Sequence, residues 1–248
     1  AHPRGGSATR RVRVISDVLV VLQVAFALML LTGAGLLIRS FANVIAVSPG
    51  FDPRNIIAAR IGVPADKEKS FTTRLDAALR DIPGVTASLA SSTPFLLVGG
   101  YTSSMPLGAV TFRDNRIPST QSQPSVYYCG VTPSYREVMR IPLRQGRWFN
   151  DADLETGRAV VVDEGFARRF FPQRNALGQR LVLNHGAPTK DADWLEIVGI
   201  VGDVSHNGVD DDSGQPFLYQ QISQVHFYGT MSVFLRTARS PSEIVPLL

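Results

Sequence analysis

Cysteine is nearly missing from these 248 residues: there is one, Cys129. A lone cysteine closes no internal disulfide, so a packed core must hold the fold. Histidine is scarce as well. His2, His185, His206 and His226 stand at no metal-ligand spacing from one another or from Cys129, which argues against zinc. Lysine is rare too; nearly all of the 25 basic residues are Arg, scattered along the chain, and the net charge is only +4. No basic stripe with interleaved aromatics exists, so no nucleic-acid partner is expected. There is no G-x-x-x-x-G-K-[ST] loop to cradle phosphates and no G-x-S-x-G elbow to present a serine. Low-complexity tracts and short-period repeats are likewise missing.

What the sequence does have is one long stretch without charge. From Val18 to Ile38 every residue is uncharged, and the only clearly polar side chains are Gln23 and Thr32. As a helix, such a run spans about 30 Å, the thickness of a bilayer's hydrocarbon core. A soluble core helix would carry a polar stripe. A cleaved signal would end in a small-x-small site, whereas here Leu36, Leu37 and Ile38 continue the apolar run. The expectation is a retained transmembrane helix over 17–39, with the lipid bilayer as its first partner. Arg10, Arg11 and Arg13 precede it and Arg39 follows. The more basic flank, 1–16, is expected in the cytoplasm. Gly33 and Gly35, with Ala25, Ala27 and Ala34, permit close helix approach, and Gln23 can hydrogen-bond across a helix interface. Other spans of the same protein are thus candidate partners. The chain begins with Ala1 and reads as a segment of something longer.

"SPGFDPRN", residues 48–55, is rich in turn formers. It falls in an expected linker, 40–54, and Pro49, Gly50 and Pro53 are the candidate hinge. An extracytoplasmic domain over 55–248 follows. Ile57, Ala59, Ile61 and Val63 alternate as a strand. Phe71, Leu75, Ala78, Leu79 and Ile82 share one helical face, and "TASLASS" reads as a second strand, giving a β-α-β unit. Residues 94–125 are Gly-, Ser-, Pro- and Thr-rich, and read as an inserted β-rich lobe. Beyond them come a strand "SVYYCGV", a helix capped by Thr132 with Pro133 in its first turn, an extended "IPLRQGRWF" turning at Gly146, a buried strand "RAVVVD", and a helix pairing Phe166 with Phe170 that Pro172 stops. "QRLVL", "WLEIVGIVGDV" and "TMSVFLRT" are further strands. The irregular alternation points to an α+β domain of two related halves.

Little here promises chemistry. "NDADLE" alternates Asp151, Asp153 and Glu155 as calcium loops do, but the glycine comes late and position twelve is Val162. Asp151 and Asp153 read instead as turn caps. Asp210 to Asp212 form a solvated acidic loop, and His206 follows Asp203 in a polar loop. Gly199 and Gly202 read as sites of a bulge or of close strand packing. No catalytic residue, cofactor or metal is expected.

Five segments carry a resemblance, in order and at suitable spacings: "LVVLQVAFALMLLTGAGLLIRSF", "SPGFDPRNIIAARIGVP", "IPLRQGRWF", "FPQRNALGQRL" and "EIVGIVGDV". Together they resemble MacB-like permeases of ABC transporters, which are related to FtsX-like permeases. The resemblance implies one span followed by a two-lobed, mixed α/β periplasmic core domain. It also implies a bacterial inner-membrane location and a separate cytoplasmic ATPase subunit whose closure moves the spans and the outer domain, for export or for force transmission alone. The remaining spans and the helices that contact an ATPase are not in this chain. Two other readings stand beside this one: a single-span protein whose outer domain binds a ligand or partner, and an anchored hydrolase. The scattered histidines count against the last.

Overall fold

The computed structural model describes residues 6–46, 48–64, 68–92, 107–114, 124–183, 194–205, 215–225, 229–239 and 243, with the side chains of 6–14, 44–46, 68–69, 151 and 154–155 outside that description. His2, His185, His206, His226 and Asp210 to Asp212 lie outside the described residues, as does most of 94–125. The chain divides into two compact units, Ala1–Ser48 and Pro49–Leu248.

The first unit is one helix, α1, Gly6–Ala46. It continues on both sides of the expected span: residues 40–46, read from sequence as linker, are helical. "SFANVIA" holds no Gly or Pro, and chain-breaking residues begin only at Pro49. The stretch Ile15–Asn43 is long and apolar enough to cross a membrane.

The second unit is an α+β domain around one ten-stranded sheet. Strand β1 (Ile56–Gly62) leads to α2 (Glu68–Arg80) and β2 (Val85–Ala90). The last strand, β10 (Thr230–Thr237), lies between β1 and β2 and runs antiparallel to both. The expected β-α-β unit is therefore present but split by β10, the last strand among the described residues. Phe71, Leu75 and Ile82 of the predicted face pack with buried Leu79, Leu89 and Val233. Ala78 is exposed and Thr72 is buried in its place.

The remaining strands are β3 (Leu107–Phe112), β4 (Ser125–Val131), β5 (Leu143–Gly146), β6 (Ala159–Asp163), β7 (Arg180–Leu183), β8 (Leu195–Val201) and β9 (Phe217–Gln221). Following the pairings from β4 through β3, β7, β8, β6 and β9 returns to β4. Six strands thus close on themselves, which leaves them no free edge. One core cluster draws Phe112, Val126, Val162, Leu181, Ile197 and Leu218 from all six. The β-rich part is drawn from 107–221, far more than the 94–125 stretch expected to form it. The two parts differ in plan, three strands with a helix against six in a circuit, so they are not related halves.

The two parts meet where β2 pairs β4 at a single position, Ala90 with Val131. Side-chain hydroxyls extend that short ladder: Thr132 Oγ1 accepts from Leu89 N at 3.0 Å and Ser91 Oγ accepts from Gly130 N at 2.8 Å. Thr132 is engaged here, so it does not cap the next helix, α3 (Tyr135–Met139), whose N-cap is Ser134. A shared core bridges the joint, with Tyr135, Met139 and Phe51 between Phe234 on one side and Val161 and Tyr219 on the other.

Gly199 does what its position in "VGIVGDV" implied. The register of β8 against β6 slips between Val160 and Val161, so Val198 is the extra residue. A Cβ on Gly199 would overlap the carbonyl oxygen of Arg147.

Candidate functional site

Three places in the chain bear on function: the apolar helix, the segment that opens the second unit, and the surface around the helix that follows β6.

Along α1, the described side chains from Val18 to Ile38 are exposed apart from Gly33, which is half-buried; Val18 is 53% and Ile38 71% exposed. A helix with apolar side chains all round matches an apolar surrounding. Thr32 turns its hydroxyl back to the carbonyls of Leu28 and Met29, at 2.6 and 3.0 Å. That bond hides one of the two polar groups of the run within its own helix. Gln23, Gly35 and Arg39 are exposed, and Arg11 and Arg13 lie on the helical backbone.

The second unit begins with Pro49–Asn55, and here the structure shows a packed segment. Pro49 O accepts from Ser205 N at 3.0 Å. Gly50 has φ +80, and a Cβ there would overlap the carbonyl of Asp203, so only glycine suits the place. Phe51 is 6% exposed in the shared core. Asp52 donates its N–H to Met139 O at 3.0 Å. Its carboxylate accepts from Arg54 Nε at 2.9 Å and Arg140 Nη1 at 2.8 Å. These contacts, Arg54 first, hold the Asp52 carboxyl well below the usual carboxylate range. Arg236, on β10, spreads its guanidinium over three carbonyls: Asp52 O at 2.6 Å, Arg54 O at 2.7 Å and Val138 O at 2.5 Å. Arg236 was not legible as a functional residue in "FLRTARS", because its partners are backbone atoms remote in sequence.

The third place is the surface around α5 (Glu164–Phe170). Asp163 caps this helix. Its Oδ1 accepts from Phe166 N at 2.7 Å and from Phe217 N at 3.1 Å, so one buried carboxyl ties β6, α5 and β9 together. Asp203 Oδ1 accepts from Gly165 N at 2.6 Å, and its other oxygen accepts from Arg168. Nearby lies a shallow groove of about 670 Å³, lined by Arg168, Phe171, Pro172, Arg174 and Ile200 among others. Both of its cations are already paired, Arg168 with Asp203 and Arg174 with Asp114. Before β6, "NDADLE" forms a short helix, α4 (Asp151–Thr156), rather than a cation loop. Asn150 is its N-cap, not an aspartate. Asp153 closes the capping box and takes Arg147 in a two-pronged ion pair. Among the described residues no group of three His, Cys, Asp or Glu could hold a metal ion. Cys129 is buried and accepts from Ser92 Oγ at 3.1 Å, and burial pushes its thiol pKa up, which disfavours the thiolate.

Burial also pushes the Asp163 carboxyl up to about 7, against the opposing effect of its two backbone donors. The folded chain therefore keeps a proton that the unfolded chain releases near 3.8. This contribution to stability is full below about pH 4 and is lost as pH rises toward 7. Asp163→Asn keeps an acceptor for both N–H groups and cannot ionise. The expected result is a wild-type stability, relative to the Asn variant, that falls between pH 4.5 and 8 by about 3 kcal/mol. Urea unfolding of both proteins across that range checks it; parallel pH profiles would refute the assignment.

Comparison with known proteins agrees with this architecture. The family model described as the MacB-like periplasmic core domain matches residues 15–244. Among solved structures, the periplasmic region of MacB from Actinobacillus actinomycetemcomitans is similar at TM-score 0.51 and 15% identity, covering 82% of this chain and 85% of that one. The extracellular domain of the noncanonic ABC-type transporter YknZ from Gram-positive bacteria is similar at TM-score 0.49 and 18% identity, covering 78% and 88%. A search of curated proteins finds no match. The family match runs through most of the apolar helix and nearly all of the second unit, and the chain belongs to the MacB-like periplasmic core domain family.

Proposed function

We propose that this chain is the first span and outer domain of an ABC-transporter permease. A separate cytoplasmic ATPase would drive it, and the outer domain would pass on motion rather than perform chemistry. The observation that carries this reading is the family match over residues 15–244, which takes in the apolar stretch Ile15–Asn43 as well as the second unit. The reading places α1 in the bacterial inner membrane, its basic N-terminal flank in the cytoplasm and the second unit outside.

Isolation of the native protein from its own membranes in mild detergent tests the partnership. Co-purification of an ATPase subunit, with a periplasm-dependent reporter active when fused after Thr237, supports the reading. Recovery of a chain that binds no ATPase, or a reporter active only in the cytoplasm, refutes it. The span itself is tested by Leu28→Asp. An acidic side chain at mid-span costs roughly 2.5 to 3.5 kcal/mol of insertion free energy, so most of the variant is expected outside the membrane fraction; unchanged insertion would exclude a spanning helix.

A further inference from the structure

The segment Pro49–Asn55 is rich in turn formers, which suggested a pivot, yet the structure fastens it at five points. Three backbone hydrogen bonds hold it: Ser205 N to Pro49 O at 3.0 Å, Asp52 N to Met139 O at 3.0 Å, and Thr237 N to Asn55 O at 3.2 Å. Phe51 anchors it in the core shared by both parts of the domain. Arg236, its side chain 11% exposed, joins the carbonyls of Asp52 and Arg54 to that of Val138. The partners come from both parts of the fold. Ser205 and Asp203 follow β8, in the six-strand circuit. Arg236 and Thr237 belong to β10, in the three-strand sheet. Met139 and Val138 belong to α3 between them. A guanidinium that satisfies three carbonyls of two segments has little freedom, because its planar fork fixes all three directions at once.

We infer that Pro49–Asn55 is a rigid strap, keyed by Arg236, that makes both parts of the domain move as one body with the chain entering at Pro49. Any pivot then lies on the N-terminal side of Pro49. This inference concerns the mechanics of the chain alone and depends neither on a cargo nor on an ATPase.

Hydrogen exchange on residues 1–248 in lipid nanodiscs tests it. The amides of Asp52, Ser205 and Thr237 report the three backbone ties. In the wild type they are expected to exchange on the order of 100-fold or more slowly than unprotected amides. In Arg236→Gln, exchange at Asp52 and Thr237 is expected to rise at least tenfold, while amides of β6 stay unchanged; Arg236→Lys, which cannot reproduce the fork, is expected to behave like Arg236→Gln. Should the Arg236 variants fail to fold, Asp52→Asn serves instead. It removes the ion pairs and keeps the carbonyl contacts, so faster exchange confined to Asp52 supports the strap. Wild-type exchange at these amides within tenfold of the unprotected rate would overturn the inference, as would Arg236 variants that fold and leave the rates unmoved.

Discussion

A fragment that begins at Ile56 is expected to be less stable than one that begins at Pro49 by about 4 kcal/mol or more. The difference is the strap. Phe51 is 6% exposed among Tyr135, Met139 and Phe234, and removing a buried Phe ring alone costs about 3 to 5 kcal/mol. Loss of the segment also takes two of the three carbonyl partners from the guanidinium of Arg236 and opens it to water, at a net cost of about 0.5 to 1.5 kcal/mol for each bond. The turn-rich composition of "SPGFDPRN" invites a cut after residue 54, on the view that everything before it is connector. The packing moves the right cut to the front of Pro49. Urea unfolding followed through Trp148, which donates Nε1–H to Pro133 O and packs tilted against Phe149 and edge-on to Tyr219, measures the gap. Equal midpoints for the two fragments would show that Phe51 contributes nothing to the core.

The second large effect is expected from Phe166→Ala. Phe166 is fully buried and stands at the centre of an aromatic group, with ring centroids 4.8 Å from Phe170, 6.2 Å from Phe112 and 6.4 Å from Phe171. It packs the first turn of α5 against strands β3 and β6, and the neighbouring rings are too rigid to fill a vacated site. The expected loss is about 3 to 5 kcal/mol, a fall in melting temperature on the order of 10 °C for a domain of this size. Phe170→Ala, at a half-buried position of the same group, should cost less. Calorimetry of both variants decides the point, and a shift under about 3 °C for Phe166→Ala would contradict the packing described.

Where the sequence was legible, one physical signal dominated the segment. The charge-free run from Val18 to Ile38 could hardly be anything but an apolar helix, and the spacing of Phe71, Leu75 and Leu79 located α2. "RAVVVD" gave a strand buried on both faces. Strand β9 gave no such signal. "FLYQQ" neither alternates nor reads as continuously apolar, yet all five residues are buried because neighbouring strands flank it on both sides and Gln220 and Gln221 are enclosed with it. The circuit of six strands was illegible for the same reason, since β9 is the strand that closes it. The packing of Pro49–Asn55 was not legible in its composition. Pro and Gly mark a change of direction, and a change of direction can be held as firmly as a helix when Asp203, Met139 and Arg236 wait on the other side. Those partners are 85 residues or more away in the chain, beyond the reach of any local pattern.

The placement of β10 governs the order in which the molecule can be built. Strands β1 and β2 do not pair with each other; each pairs with β10, and Ile56 meets Arg236 across roughly 180 intervening residues. A chain made from its N-terminus therefore has β1 and β2 before their common neighbour. Long-range closure of this kind is slow, and an unmatched strand is a hazard while it waits. The six-strand circuit, drawn from the middle of the chain, can close first. Completion of β1 and β2 is thus deferred until β10 is made, and a ribosome stalled before residue 230 would leave both strands without the neighbour that pairs them.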